Sequence, residues 1–317
     1  MSIKMKNLLT HLQHPNSTKD YQAEDEPDAI KISEYWGRRI DQNQKPKISF
    51  ELFPPKSDSA NKLLKKTHQK LSEINPDYFS VTFGALGSSQ NDTFDTVADL
   101  SEDTKIPIIP HLTCVGIDKK QVTDLLDEYI AQGVNQIMVL KGDYPKTIIK
   151  KGDFNYANEM VEFIKENYFD INILVAAYPE KHPHSNCIST DIDFFVNKVN
   201  AGADKAVTQY FYNIDAYLHF IEEVQKRNID IPITPGIMPI TNYDQLIYFS
   251  KACGAEIPAW ILNKLKLYKN DLNSLKEFGE DVVSEMCLKL KDNGVSSFHF
   301  YCLNKAEPTL SIVKKIT

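Results

Sequence analysis

Short apolar runs alternate with longer amphipathic stretches along most of this chain. The apolar runs are rich in β-branched and aromatic residues and predict strands at 47–53, 78–83, 106–115, 135–141, 171–178, 205–211, 231–237 and 295–301. Apolar residues every three to four positions predict helices between them, among which are 121–132, 157–168, 215–227 and 275–291. Eight strands alternating with helices predict an α/β fold, a (β/α)8 TIM-type barrel.

The two ends of the pattern define the domain organisation. Residues 1–28 are polar and carry an acidic run at 24–26, so we predict an N-terminal arm there rather than a domain. A short helix is predicted at 29–40, and residues 29–317 are predicted to form a single catalytic barrel. The long segment between the seventh and eighth predicted strands predicts extra helices.

The first strand carries a carboxylate within an apolar run. Ile48, Phe50 and Leu52 share one face, which leaves Glu51 on the opposite face. An ionised carboxylate in an apolar barrel is costly, so we expect the pKa of Glu51 to rise until it can donate a proton near neutral pH. A glutamate that caps a loop or pairs with a lysine is the plainer alternative.

Polar residues recur at the same phase on other strands. Alternate residues of barrel strands point inward, and active sites form at the C-terminal ends of the strands. Reading outward from Glu51, this phase predicts that the inward polar residues are Ser80, Thr82, His111, Thr113, Lys141, Asp143, Gln209, His299 and Tyr301. A plain core would place Val, Ile and Leu at these positions, so the pattern predicts a ligand site.

Composition narrows the class of protein. The net charge of −7 argues against a general nucleic-acid or anionic-membrane role. The five cysteines are scattered without a C-x-x-C pair, which is typical of a reducing compartment. Because an apolar run of membrane-spanning length is also absent, we expect a cytoplasmic protein.

Several local motifs leave alternatives open. His182 and His184 have the spacing of two metal ligands, but we predict no metal because supporting ligands at other strand ends are not evident. Glu51 and Asp143 also fit a barrel hydrolase or lyase that uses paired carboxylates. The chain contains no G-x-G, so any nucleotide cofactor must be held by barrel loops rather than by a Rossmann domain.

Nine short motifs occur in order from Phe50 to Lys305. They are FELFPP at 50–55, VTFGALGS at 81–88, PHLTC at 110–114, LKGD at 140–143, AAYPEKHP at 176–183, AGADKAVTQYFYN at 201–213, PGIMP at 235–239, PAW at 258–260 and FHFYCLN at 298–304. Each motif is weak by itself, but the ordered set is specific. Together they resemble methylenetetrahydrofolate reductase of the bacterial, single-domain type.

The resemblance implies a barrel flavoenzyme that binds FAD without a Rossmann fold. It implies ping-pong hydride transfer from NADH or NADPH through the flavin to 5,10-methylenetetrahydrofolate, which supplies methyl groups for methionine synthesis. Glu51 matches the general acid that opens the folate ring, and Asp143 matches the acid beside the flavin and the pterin. The choice between NADH and NADPH stays open, and relatives suggest a homo-oligomer.

The same resemblance implies the binding residues. Cofactor contacts are expected from Thr82, Phe83, Ala85, His111, Lys141, Gly142, Asp143, Ala157, Tyr178, His182, Asp191 and Lys198. Substrate contacts are expected from Asp143, Gln209, Phe249, Tyr301 and Lys305. Lys141 and Lys305 replace arginines that the family usually has, and Phe194 occupies a position that is often polar in relatives. A catalytically silent flavin- or folate-binding protein is therefore a further alternative.

Overall fold

The computed structural model describes residues 45–83, 90–142 and 152–317. The predicted N-terminal arm (1–28) and the predicted helix at 29–40 lie outside the described residues, so the domain boundary near residue 28 stays a prediction. Among the described residues, no helix is long and apolar enough to cross a membrane.

Nine parallel strands form one nearly closed sheet. They are β1 Lys47–Leu52, β2 Tyr78–Val81, β3 Ile108–Thr113, β4 Gln136–Leu140, β5 Asn172–Ala177, β6 Lys205–Thr208, β7 Ile233–Thr234, β8 Gly236–Ile237 and β9 Ser297–Tyr301. Their order in the sheet is β7-β6-β5-β4-β3-β2-β1-β9-β8. The predicted (β/α)8 TIM-type barrel is confirmed.

Helices connect the strands and cover the outside of the barrel. They are α1 Asp58–Ser72, α2 Gln90–Asp103, α3 Lys119–Ala131, α4 Ala157–Asn167, α5 Ile188–Asn200, α6 Ile214–Gln225, α7 Tyr243–Cys253, α8 Ala259–Leu267, α9 Leu272–Asp292 and α10 Thr309–Ile316. Side-chain caps such as Ser57, Asp118 and Asn242 accept hydrogen bonds from first-turn N–H groups, which fixes where their helices begin. Three helices, α7, α8 and α9, lie before the last strand, so the extra helices predicted for this segment are confirmed.

The predicted seventh strand, 231–237, is divided at Pro235. Proline has no N–H to donate, so the strand cannot continue as one uninterrupted ladder. β7 pairs with β6, whereas β8 pairs with β9, and the carbonyl of Pro235 accepts a hydrogen bond from the His299 N–H at 3.0 Å. The two ends of the sheet are therefore joined through one residue, which leaves a seam in the barrel between β6 and β8.

Strand alternation separates two apolar layers. Ile48, Phe50 and Leu52 belong to the large core between barrel and helices. A smaller cluster of Tyr78, Ile109, Met138, Leu174 and Val207 fills the inside of the barrel. The alternation predicted for the first strand is therefore confirmed, since it leaves Glu51 on the inner side of β1.

Asn304 fixes the segment that leaves β1 just beyond Glu51. Its Oδ1 accepts a hydrogen bond from the Phe53 N–H at 3.0 Å, and its Nδ2 donates to the Phe53 carbonyl at 2.8 Å. The Asn304 carbonyl also accepts from the Thr67 hydroxyl at 3.1 Å. Its φ of +54° is left-handed, a conformation that asparagine tolerates better than most residues.

We expect Asn304→Ala to lower the free energy of unfolding by about 2 kcal/mol, because two partly buried backbone groups of Phe53 lose their partners. Urea unfolding followed by circular dichroism measures this change. Asn273→Ala is the matched control, since Asn273 is exposed on α9 and its loss should change the stability by less than about 0.5 kcal/mol. Equal stability of Asn304→Ala and the wild type would contradict this role.

Candidate active site

A cavity of about 380 Å³ opens at the C-terminal ends of the barrel strands. This is the end at which barrel enzymes place their active sites. Its lining includes seven predicted site residues: Glu51, His111, Tyr178, His182, Gln209, Phe249 and Tyr301. A larger cavity of about 860 Å³ lies at the opposite end of the barrel, beside Lys47 and Asp77 at the N-terminal ends of β1 and β2. None of the predicted site residues lines it.

Burial strongly perturbs the pKa of Glu51, the carboxylic acid at the inner end of β1. The barrel wall surrounds the carboxyl group, although 23% of the side chain remains exposed where it lines the cavity. This desolvation raises the pKa of Glu51 to about 8. At neutral pH the group is mostly the neutral acid, so it can donate a proton to a bound ligand.

His111 on β3 is a titratable neighbour of the Glu51 carboxyl group. Its Nε2 lies 3.8 Å from the Glu51 Oε2, which is longer than a hydrogen bond. Burial lowers the pKa of His111 to about 3, so its imidazole is neutral at neutral pH. The two side chains are therefore in contact as neutral groups and do not form an ion pair.

A second polar layer lies inside the barrel next to these two residues. The Ser49 hydroxyl and His299 Nδ1 are hydrogen-bonded at 2.8 Å, and the Tyr78 ring stacks on His299 with centroids 5.5 Å apart. Burial, with a smaller contribution from His111, lowers the pKa of His299 to about 3. This layer is therefore uncharged and supplies no cation to hold Glu51 ionised.

The predicted cofactor residues after β2 and β4 lie in or next to residues 84–89 and 143–151, which are outside the described residues. Ala85 and Asp143 themselves lie outside the described residues, so their predicted roles stay predictions. Thr82 has a buried hydroxyl without a hydrogen-bond partner among the described residues, and Phe83 is half-buried against the outer core. Gly142 has a φ of +79°, and a Cβ there would lie 2.8 Å from the Thr113 Cβ, so only glycine fits.

The inward phase predicted for Lys141 is wrong. Met138 belongs to the inner cluster and Leu140 packs against it, so the next inward position would be residue 142. Lys141 is exposed, and its Nζ lies 5.0 Å from the centroid of the Tyr156 ring, a cation–π distance. Its contact with a cofactor stays a prediction, and the side chain would have to make that contact from outside the barrel interior.

Residues that follow β5 supply several polar side chains near the cavity. Asp191 accepts hydrogen bonds from the His182 N–H at 2.9 Å and from the Ser185 hydroxyl at 2.7 Å. The Lys198 ammonium donates to the Ala176 carbonyl, and burial lowers the pKa of Lys198 to about 8 although Asp191 opposes this. Ala157, the first residue of α4, packs half-buried against the outer core.

The predicted substrate residues divide between two places. Gln209 and Phe249 line the cavity, and Gln209 Oε1 accepts a hydrogen bond from the Tyr210 N–H at 2.9 Å. Lys305 does not line this cavity; it borders a separate one of about 750 Å³ with Lys276 and Glu307. The structure therefore brings Gln209 and Phe249 together with Glu51 but not Lys305.

The sequence interpretation missed several lining residues. Leu140, Tyr210, Cys253 and Leu303 line the cavity but were not predicted as site residues. The correct phase of β4 would have identified Leu140. Tyr210 and Leu303 belong to the motifs at 201–213 and 298–304, whereas Cys253 at the end of α7 has no signal in the sequence pattern.

The two histidines considered as metal ligands pack against each other. The rings of His182 and His184 form an edge contact with centroids 5.2 Å apart, and Tyr178 makes an edge contact with His182 at 4.7 Å. Within the described part of the chain, no group of three or more His, Cys, Asp or Glu side chains is arranged to hold a metal ion. These histidines therefore belong to the aromatic wall of the cavity.

We expect Glu51→Gln to be more stable than the wild type at about pH 9, by one or more kcal/mol, with the difference vanishing below about pH 4.5. The raised pKa means that the folded wild type binds more protons than the unfolded chain between those limits, so its stability falls as the pH rises. Urea unfolding across this pH range measures the difference. A constant difference at every pH would contradict the raised pKa.

Comparison with known proteins identifies the family. The family model described as methylenetetrahydrofolate reductase matches residues 37–317. The 5,10-methylenetetrahydrofolate reductase of Buchnera aphidicola subsp. Schizaphis graminum is 38% identical over 85% of this chain and 91% of its own length. The Escherichia coli enzyme of the same name is 33% identical over 84% of this chain and 88% of its own length.

A solved structure shares the fold at low sequence identity. It is an uncharacterised protein from Clostridium thermocellum, described as binding two copies of 5-methyl-5,6,7,8-tetrahydrofolic acid, with a TM-score of 0.62 and 16% identity. The alignment covers 90% of this chain and 98% of that one. With the family model and the two bacterial enzymes, the sequence relationship is decisive: this chain belongs to the methylenetetrahydrofolate reductase family.

Proposed function

We propose that this chain reduces 5,10-methylenetetrahydrofolate to 5-methyltetrahydrofolate with electrons from NADH or NADPH, through a bound FAD, in a ping-pong cycle. Membership of the family supports the folate reaction. The observation that carries the mechanism is Glu51, a carboxyl group that stays protonated near neutral pH at the lining of the cavity. The product would supply methyl groups for methionine synthesis.

Residues at or just beyond the C-terminal ends of β2, β3 and β4 have features that fit a flavin. His111 Nε2 and Thr82 Oγ1 are buried without hydrogen-bond partners among the described residues, so they are available to a bound group. Gly142 packs against Thr113 and turns the chain after β4, and Lys141 beside it carries a positive charge that suits an anionic cofactor. FAD bound there would supply the two-electron chemistry that links the nicotinamide donor to the folate.

Other residues would hold the remainder of the cofactor. The hydrogen-bonded pair of His182 and Asp191 lies beside the Tyr178 ring at the rim of the cavity, and the Lys198 ammonium, bonded to the Ala176 carbonyl, interacts electrostatically with Asp191. Ala157 at the start of α4, Phe83 and the residues Ala85 and Asp143 complete the proposed cofactor contacts. Asp143 is also proposed to contact the substrate and to stabilise positive charge that develops on it.

Glu51 is the proposed general acid for the folate. Opening the five-membered ring of the substrate requires a proton on a folate nitrogen, and a neutral carboxyl group lining the cavity can supply it. Gln209 and Phe249, on the same lining, are proposed to hold the folate by an amide hydrogen bond and an apolar contact. Lys305 is proposed to meet the anionic end of the substrate from the separate cavity that it borders.

The proposed setting is the cytoplasm, with the enzyme as a homo-oligomer. All five cysteines are free thiols, which suits a reducing compartment. The oligomer rests on the sequence resemblance alone.

The purified protein is expected to show flavin absorbance, and NADH or NADPH should bleach that absorbance without folate present. Absorbance spectroscopy under anaerobic conditions checks both statements. A colourless protein that FAD cannot reconstitute would contradict the proposal and would favour a barrel hydrolase or lyase that uses Glu51 and Asp143 without redox chemistry.

Glu51→Gln is expected to keep flavin reduction by NADH but to lose folate turnover by about 10²- to 10⁴-fold, because the amide cannot donate a carboxyl proton. Stopped-flow absorbance measures the two half-reactions separately. Gln209→Glu is a useful comparison, since it changes the same lining without removing the acid. Equal loss of both half-reactions in Glu51→Gln would indicate a structural role, and a wild type that binds flavin but never reoxidises with folate would indicate a silent binding protein.

A further inference from the structure

The seam of the barrel is closed by side chains rather than by a strand ladder. β6 pairs with β7 up to Val207 and Thr234, and β8 pairs only with β9. Beyond that point the Gly236 N–H donates to the Thr208 hydroxyl at 2.9 Å. The Thr208 carbonyl is therefore left for a partner other than a neighbouring strand.

Tyr301 supplies that partner from β9. Its hydroxyl donates to the Thr208 carbonyl at 2.7 Å, so the side chain extends from β9 over β8 to β6. Its ring makes edge contacts with His299 and Tyr210, with centroids 5.4 and 6.4 Å away. Tyr301 is thus held at both ends and on its sides across the seam.

Gly236 lies directly against the Tyr301 ring. A Cβ at Gly236 would lie 2.6 Å from the Tyr301 Cε2, 2.9 Å from its hydroxyl and 2.1 Å from the Thr208 carbonyl oxygen. Such distances are far below van der Waals contact, so any side chain at position 236 would have to displace the ring or the backbone. The glycine is required here for space, since the Tyr301 ring occupies the place of a side chain.

Tyr301 is also the neighbour of Glu51 in the sheet. The two residues are register partners on β9 and β1, and both line the cavity. The other titratable groups that face Glu51 are His111 on β3, Tyr78 on β2 and Cys302, whose thiol donates to the Glu51 carbonyl at 3.2 Å. All of them are uncharged near neutral pH, so access of water to the carboxyl group decides whether Glu51 keeps its proton.

We propose that Tyr301 is a positioning residue for Glu51: its ring, anchored to Thr208 and seated on Gly236, keeps water in the seam away from the Glu51 carboxyl group. This inference rests on the proposed function, in which Glu51 is the acid. It assigns to Tyr301 a role apart from substrate contact, since the ring acts on Glu51 before any ligand binds. Gly236 supports the same role, because the absence of a side chain there leaves space for the Tyr301 ring.

The test is to titrate Glu51 directly by infrared difference spectroscopy, with Glu51→Gln as the reference that identifies its carboxyl band. Tyr301→Leu should lower the midpoint of the titration by about one pH unit or more, because water then reaches the carboxyl group. Tyr301→Phe keeps the ring and should shift the midpoint by less than half as much. Tyr301→Met provides a second truncation of different shape should Tyr301→Leu not fold.

Phe249→Leu is the matched control, because it shortens another aromatic side chain of the same cavity lining by a similar amount. It should leave the midpoint unchanged. An unchanged midpoint in Tyr301→Leu or Tyr301→Met would overturn the inference, and so would an equal shift in Phe249→Leu, which would mean that the open cavity rather than the seam hydrates Glu51.

The titration needs neither flavin nor folate, so its outcome is separate from that of the proposed function. A shifted midpoint in a protein without reductase activity would contradict only the proposed function. An active reductase whose Glu51 titrates the same in all the Tyr301 variants would contradict only the role of Tyr301.

Discussion

The site depends on the burial of one carboxyl group without a compensating charge. The alternation of a parallel strand in a closed barrel leaves Glu51 inside while Phe50 and Leu52 face the helices. The imidazole of His111 beside it is itself too buried to hold a second proton at neutral pH. Two groups that would form an ion pair in water therefore stay neutral together, and the carboxyl group keeps a proton that it can transfer.

Burying polar groups inside the barrel costs free energy of folding, which the apolar core must offset. Most of the apolar surface is buried in the outer layer between strands and helices, which leaves the inner layer at its C-terminal end open to polar groups. On each strand, the outward side chains thus pack in the core that stabilises the fold, and the inward side chains near the C-terminal end form the candidate site. The Asn304 side chain holds the segment just beyond Glu51 through hydrogen bonds to the Phe53 backbone. Because asparagine is neutral, this support places no charge beside the Glu51 carboxyl group.

The sequence predicted the barrel, the buried first strand and the inward position of Glu51, because each depends on local alternation within one strand. It misplaced Lys141 because the phase of β4 is set by Met138, one position away from the assumed alignment, and such a slip moves every side chain to the other face. It also treated 231–237 as one strand. The division there follows from pairing on both sides of Pro235, which is long-range information that a local pattern does not contain.

At the division near Pro235, side chains rather than a strand ladder complete the wall of the barrel. A continuous seventh strand would satisfy the Thr208 carbonyl through the backbone and would leave Tyr301 without an anchor. Because the ladder stops, the carbonyl remains available, Gly236 leaves space, and the tyrosine next to Glu51 can reach across. The gap in the ladder between β6 and β8 therefore gives the tyrosine beside Glu51 its anchor.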